Sequence, residues 1–232
     1  MARSEHERLA AARIAEAVEA TQRLLEPETL AQLGHVGDAL VAGFRSGGKL
    51  LVFGNGGSAA QAQHIAAELL GRLRVDRPPL PAIALVDGVA ALTAIANDYS
   101  YADVFARQVD GLGGRGDVAL ALSTSGASEN VVRAVKAARR RGLTTIAMTG
   151  PDRSPLGDAV DHCLRLPGAD VTRIQECHLV AAHILCEIVE RALPDGVRRS
   201  PGGRDLDAHR LPGPRRDDQR QAARGGLRDP SR

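Results

Sequence analysis

Charged residues alternate with Ala, Leu, Ile and Val at helical spacing over residues 5–24, and a similar pattern returns over 28–46. In the second run Leu30, Leu33, Val36, Leu40, Val41 and Phe44 share a side before Ser46-Gly47-Gly48 stops the helix. Two helices are thus expected ahead of any strand. Such a leading pair often packs on a neighbouring subunit, because it has no sheet partner of its own. From Lys49 onward short apolar runs alternate with amphipathic ones. Strands are expected at 49–53 (KLLVF), 82–86 (AIALV), 117–122 (DVALAL), 143–148 (LTTIAM) and, more weakly patterned, 161–166 (DHCLRL). Helices are expected at 58–73, 88–96, 101–111, 127–141 and 173–193. Near-continuous apolar strands separated by helices predict an α/β fold, a parallel sheet covered on both faces. Such sheets bind ligands beyond the carboxyl ends of their strands. Two loops lie at such ends, 54–58 and 123–128.

The first, Gly54-Asn55-Gly56-Gly57-Ser58, follows a strand and opens a helix. Glycines let backbone approach an anion closely, and the helix start offers free N–H groups and a favourable dipole. The run GNGGSA also satisfies the loose dinucleotide pattern GxGxxA, with Asp87 ending the next strand. More than thirty residues separate Gly54 from Asp87, longer than that fingerprint expects. The second loop, Ser123-Thr124-Ser125-Gly126-Ala127-Ser128-Glu129, again joins a strand to a helix. One of its four hydroxyls is needed as a helix cap; the others are free for phosphate oxygens. A dinucleotide site has no use for this second loop, whereas a small phosphorylated ligand does.

His64 and Glu68 are four residues apart on the helix that the first loop opens, so they share a face. Arg72 is expected to continue that face. The last helix places Gln175, Leu179, His183 and Glu187 along one row, with Gln175 and His183 about 12 Å apart along the axis. Taken singly, each histidine reads as a satisfied core residue, and His162 and His209 keep that reading; His178 lies about one turn from Gln175. Spacing alone does not show that the two helices converge. If they do, two His, one Glu and one Gln would form a site suited to Zn²⁺ or a similar ion. Glu68 and His183 would equally form a general base and acid. The two uses compete, because a ligated carboxylate is a weaker base and a ligated imidazole cannot donate from the same nitrogen.

Composition narrows the classes. The 232 residues suffice for one α/β domain, and with aromatics at 2% the core must be aliphatic. Three cysteines without CxxC spacing (Cys163, Cys177, Cys186) fit reduced thiols in a cytoplasmic protein. A charged N-terminal stretch excludes a secretory signal, and no apolar run reaches membrane-spanning length. Residues 195–232 hold ten Arg and six Asp, +4 of the net +2, so the body before them carries −2. The body therefore lacks the basic footprint of a nucleic-acid binder. The tail, rich in Gly, Pro, Arg and Asp, is expected to be disordered and without function.

With both loops and both helices in view, residues 5–193 resemble the sugar isomerase (SIS) superfamily, and within it the phosphoheptose isomerases. FGNGGSAAQAQHIAAELLGR, AIANDYSYADVFARQV, GDVALALSTSGASENVVRAV and TRIQECHLVAAHILCEIVE carry the resemblance in order. It implies a flavodoxin-like three-layer sandwich, a five-stranded parallel sheet between helices. The isomerase unit would span 1–194, with 1–47 as its N-terminal helices. It implies tetramers with active sites between subunits, and conversion of sedoheptulose 7-phosphate to a heptose 7-phosphate, the first step of activated-heptose synthesis. Asn55, Gly56, Gly57, Ser58, Ser123, Thr124, Ser125 and Ser128 would hold the phosphate, and Arg72, Asp98 and Gln175 would contact the sugar. Glu68 would be the base and His183 the acid, and His64, Glu68, Gln175 and His183 would bind one Zn²⁺ per subunit. Thr172 stands where some members carry an Asp that contributes to the site. Non-catalytic relatives that bind the replication initiator keep similar loops but lack the Glu and the second His; both are present here.

Overall fold

The computed structural model describes residues 4–196. From residue 197 on, the tail expected to be disordered lies outside the described residues, as does His209. The elements run α1 (Glu5–Gln22), α2 (Pro27–Arg45), β1 (Leu50–Gly54), α3 (Gly57–Leu70), β2 (Ala82–Ala84), α4 (Val89–Asp98), α5 (Ala106–Leu112), β3 (Val118–Ser123), α6 (Glu129–Arg140), β4 (Thr144–Thr149), β5 (His162–Arg165) and α7 (Val171–Ala192). All five strands pair in parallel, in the order β2-β1-β3-β4-β5. The pleat sends alternate residues to opposite faces. Leu50, Val52, Leu120, Leu122, Ile146 and Met148 meet α2, α3 and α7 on one side. Leu51, Phe53, Ala119, Ala121 and Ala147 meet α5 and α6 on the other. The expected three layers are present.

Strand order reverses between β1 and β3, and there the two glycine- and serine-rich loops leave the sheet toward opposite faces. A crevice at such a switch point is the general ligand position of these folds.

Several boundaries differ from the sequence expectation. The helix expected over 101–111 is a 3₁₀ turn at Tyr101–Asp103 followed by α5. Ser100 Oγ accepts from Ala102 N at 3.1 Å, and Val104 and Phe105 turn into the core, Phe105 5.5 Å from Phe53 between ring centres. The leading pair also splits in role. Leu33, Val36, Leu40, Val41 and Phe44 of α2 are buried in the sheet's own core, so α2 does have a sheet to cover. By contrast α1 buries only Ala20 among its residues.

The last correction concerns Arg72. The helix ends at Leu70, Gly71 is its C-cap, and the next residues turn away. Arg72 is therefore exposed beyond the helix and does not continue the face of His64 and Glu68.

Candidate active site

The loop after β1 needs its glycines for two reasons, space at Gly54 and Gly57 and backbone conformation at Gly56. A Cβ on Gly54 would lie 2.7 Å from Leu122 O and 2.7 Å from Ser58 Cβ, and Gly56 sits at φ +55°. The loop closes tightly as a result, with Ser58 N and Ala59 N both donating to Asn55 O. No side chain caps α3; its first turn is closed on the backbone of Asn55 and Gly56, and what the loop offers a ligand is the positive end of the helix dipole.

The loop after β3 behaves alike. Ser128 occupies the N-cap of α6, yet its hydroxyl makes no capping bond and lies 3.3 Å from Ser123 Oγ instead. The cap expected of one hydroxyl is thus absent. Ser123 Oγ accepts from Gly126 N at 3.1 Å and Ser125 Oγ from Ala127 N at 3.3 Å, shaping a turn whose Gly126 has φ +61°. Thr124 O accepts from Gly150 N, tying this loop to the end of β4.

A residue that sequence reasoning missed joins the two loops. Asn130 is buried, donates to Asn55 Oδ1 at 2.8 Å and accepts from Asn55 Nδ2 at 2.8 Å. Tyr101, also missed, donates to the same Asn55 Oδ1 at 3.0 Å. Nothing in the local pattern marks either one, because their partner is a loop far away in sequence.

At the other end of α3 the two helices do converge. His64 Nε2 and His183 Nε2 are 2.8 Å apart, a hydrogen bond in which one imidazole donates and the other accepts. Their rings meet edge to face with centres 5.0 Å apart. Glu68 Oε1 is 3.5 Å from His64 Nε2. Ligand atoms of His64, Glu68 and His183 all lie within 4.8 Å of one another. The trio is open to solvent, with the His64 side chain 41% exposed and that of Glu68 18%.

Gln175 lies nearer the phosphate loop. A Cβ on Gly57 would fall 2.5 Å from Gln175 Nε2, so the absent side chain at Gly57 makes space for that amide. Gln175 O accepts from Gln61 Nε2 at 2.6 Å, fixing α7 to α3 at this level. Asp98, exposed at the end of α4, accepts from Asn97 Nδ2. Among the described residues no polar contact joins Asp98 or Arg72 to the trio. Thr172 donates to the N-cap Asp170, which fixes the start of α7. Asp87 accepts from Gln63 of α3 at 2.8 Å.

Three other titratable groups of α7 lie in the core. His178 is fully buried, its Nε2 lies 3.2 Å from Thr149 O, and burial lowers its pKa to about 4. Cys177 and Cys186 are free buried thiols, and burial pushes Cys186 up to about 12. Both lie in the hydrophobic core beside Ala181, Ala182 and Val189. A cavity of about 400 Å³ bordered by Arg107, Arg133, Lys136 and Arg140 shares no lining residue with the trio or the loops.

Two glycine- and serine-rich helix starts thus lie at a switch point, and further along the first of these helices His64 and Glu68 meet His183 of α7. A family profile described as SIS domain matches residues 14–150. The chain belongs to the SIS domain family. The phosphoheptose isomerase of Bradyrhizobium sp. (strain BTAi1) is 52% identical over 164 residues, 71% of this chain and 83% of that protein. That of Roseiflexus sp. (strain RS-1) is 53% identical over 158 residues, 68% and 80% respectively. Among solved structures, the phosphoheptose isomerase of Neisseria gonorrhoeae superposes with a TM-score of 0.74 at 39% identity, covering 80% of this chain and 99% of its own. Within its family the chain is an enzyme of the phosphoheptose isomerase group.

Proposed function

We propose that the chain converts D-sedoheptulose 7-phosphate to D-glycero-D-manno-heptose 7-phosphate through a cis-enediol, opening activated-heptose synthesis. The observation that carries this reading is the meeting of His64 and Glu68, on the helix whose start is the first phosphate loop, with His183 of α7.

The proton on a sugar carbon is weakly acidic, so a positioned carboxylate must remove it. Glu68 takes a proton from C1 and returns it to C2, while His183 serves the substrate oxygens, whose developing charge needs a donor nearby. Asn55, Gly56, Gly57, Ser58, Ser123, Thr124, Ser125 and Ser128 hold the phosphate. That remote anchoring fixes C1 and C2 against the base. Arg72, Asp98 and Gln175 contact the sugar.

Two imidazole nitrogens and a carboxylate oxygen within 4.8 Å of one another suit the N/O preference of Zn²⁺. His64, Glu68, Gln175 and His183 would hold one such ion per subunit. When bound, it would supply Lewis-acid polarisation of the substrate oxygens.

We assign this work to residues 1–194, in a cytoplasmic homotetramer. The assembly is supported by α4, which buries none of its residues although it reads VAALTAIAND, and which leaves Val89 67% exposed. On α1, Leu9, Ile14 and Val18 are likewise more than half exposed. Uncovered apolar surface of this kind calls for a partner.

The test is Glu68→Gln assayed on sedoheptulose 7-phosphate, with and without a chelator and added Zn²⁺. Turnover should fall by about 10²–10⁴-fold, the usual worth of a general base, with phosphate binding retained. Near-normal turnover would refute the assignment of the base. A chain that binds the sugar phosphate and never turns it over would instead be a regulator of this fold.

A further inference from the structure

We propose that Arg77 and Glu190 are a positioning pair, a buried clamp that fixes the last turn of α3 against α7 and so sets Glu68 against His183. The inference rests on the acid–base roles proposed for those two residues. Neither member touches the side chains of the trio.

Both side chains are 1% exposed. Moving ions out of water is costly, so such a pair survives only where good partners replace the lost hydration. Here they do. The Glu190 carboxylate accepts from three successive amides, Leu73 N at 3.1 Å, Arg74 N at 3.0 Å and Val75 N at 3.2 Å. Burial alone would raise the Glu190 carboxyl, but these amides and Arg77 outweigh it and hold it below the usual range.

Arg77 faces the carboxylate with its Nε, 3.7 Å from Glu190 Oε1 and without a hydrogen bond of its own. Its other two nitrogens donate to main-chain carbonyls. Nη1 donates to Leu69 O at 2.8 Å and Pro78 O at 3.0 Å, and Nη2 to Glu68 O at 2.9 Å. A helix leaves its last carbonyls without partners. Arg77 takes two of them, and one belongs to Glu68 itself. The backbone of the base is thus held by a cation that is in turn held by α7.

On α7, Glu190 lies seven residues after His183, about 10 Å further along the same face. The two helices therefore meet at two heights, the solvent-open imidazole contact and the buried clamp. Only the second is rigid enough to set the distance. The phosphate loop lies at the opposite end of α3, with Ser58 ten residues before Glu68 and about 15 Å away along the axis.

That separation makes the clamp testable. Glu190→Gln keeps the shape and removes the charge, while Arg77→Lys keeps the charge and cannot reach both carbonyls. For each, kcat is measured with sedoheptulose 7-phosphate, alongside the inhibition constant of inorganic phosphate, on protein whose folding is checked by circular dichroism. The clamp predicts a fall in kcat of at least about tenfold, the effect of small misplacement of reacting groups, with phosphate inhibition unchanged within about twofold. A folded variant with near-normal kcat overturns the inference. So does a parallel change in kcat and phosphate inhibition, which would mean general loosening. If Glu190→Gln does not fold, Arg77→Lys decides by the same criteria. Glu68→Gln runs beside them. Its inactivity with a normal Glu190→Gln defeats the clamp alone, whereas its full activity defeats the acid–base reading and the clamp's purpose with it.

Discussion

Acidification bears directly on His178, the one fully buried imidazole among the described residues. Its Nε2 faces Thr149 O, so that nitrogen carries the proton, and Nδ1 has no partner at all. A second proton would place a charge in the core with nothing to answer it. Burial accordingly lowers the pKa from 6.5 to about 4. In the unfolded chain the imidazole takes up its proton at the ordinary value, so between those two values the unfolded state binds more protons. Stability is then full above about pH 6.5, declines as pH falls, and stops declining near pH 4. Integrating that difference at 1.36 kcal/mol per unit gives a loss of about 2 kcal/mol by pH 5 and about 3 kcal/mol by pH 4. The assay is urea unfolding of wild type and His178→Gln at equal protein concentration, at neutral pH and at about pH 5. Other groups titrate in both proteins and cancel in the comparison. Wild type should lose about 2 kcal/mol more than the variant over that range. Equal losses would show that His178 is not held neutral by burial, and the reasoning would fall.

The phosphate loops and their neighbour give three further expectations. Gly57→Ala adds a Cβ 2.5 Å from Gln175 Nε2, the movable end of a flexible chain; the thermal midpoint should hold or rise slightly, since alanine favours helix, while turnover falls. Unchanged turnover would show that Gln175 has no part in the site. Gly126→Ala meets φ +61° and a Ser154 Oγ only 2.1 Å away; denaturant unfolding should show a loss of about 1–3 kcal/mol, with KM raised. Asn130→Ala removes the reciprocal amide pair with Asn55; steady-state kinetics should show KM rising more than kcat falls, and stability should drop about 1–3 kcal/mol for the unpaired group.

The sheet was legible because each strand is a short apolar run between glycine-bounded helices, a signal local to the chain. The two loops were legible for the same reason, and so was the shared face of His64 and Glu68. That face meeting His183 was not written in any spacing; it came from resemblance to a family, and the 2.8 Å contact bears out the meeting itself. What stayed hidden is long-range pairing. Asn130 reads as an ordinary residue in a helix start, and Tyr101 as part of a helix that does not extend there. Glu190 reads as the solvent end of an amphipathic helix, yet it is buried because three amides of residues 73–75 come to it. Arg72 was misplaced because a periodic pattern carries past Gly71, where the backbone has already left the helix.

On the roles proposed above, α3 is also a ruler. Its opening turn grips the ester end of the sugar and its closing turn carries the base, so the fixed rise of one helix decides how many carbons must lie between grip and chemistry. A shorter phosphorylated sugar would be seated as firmly as the right one and still present its carbonyl too early along the rod. Chain length would then be selected at the reacting carbons and not at the door.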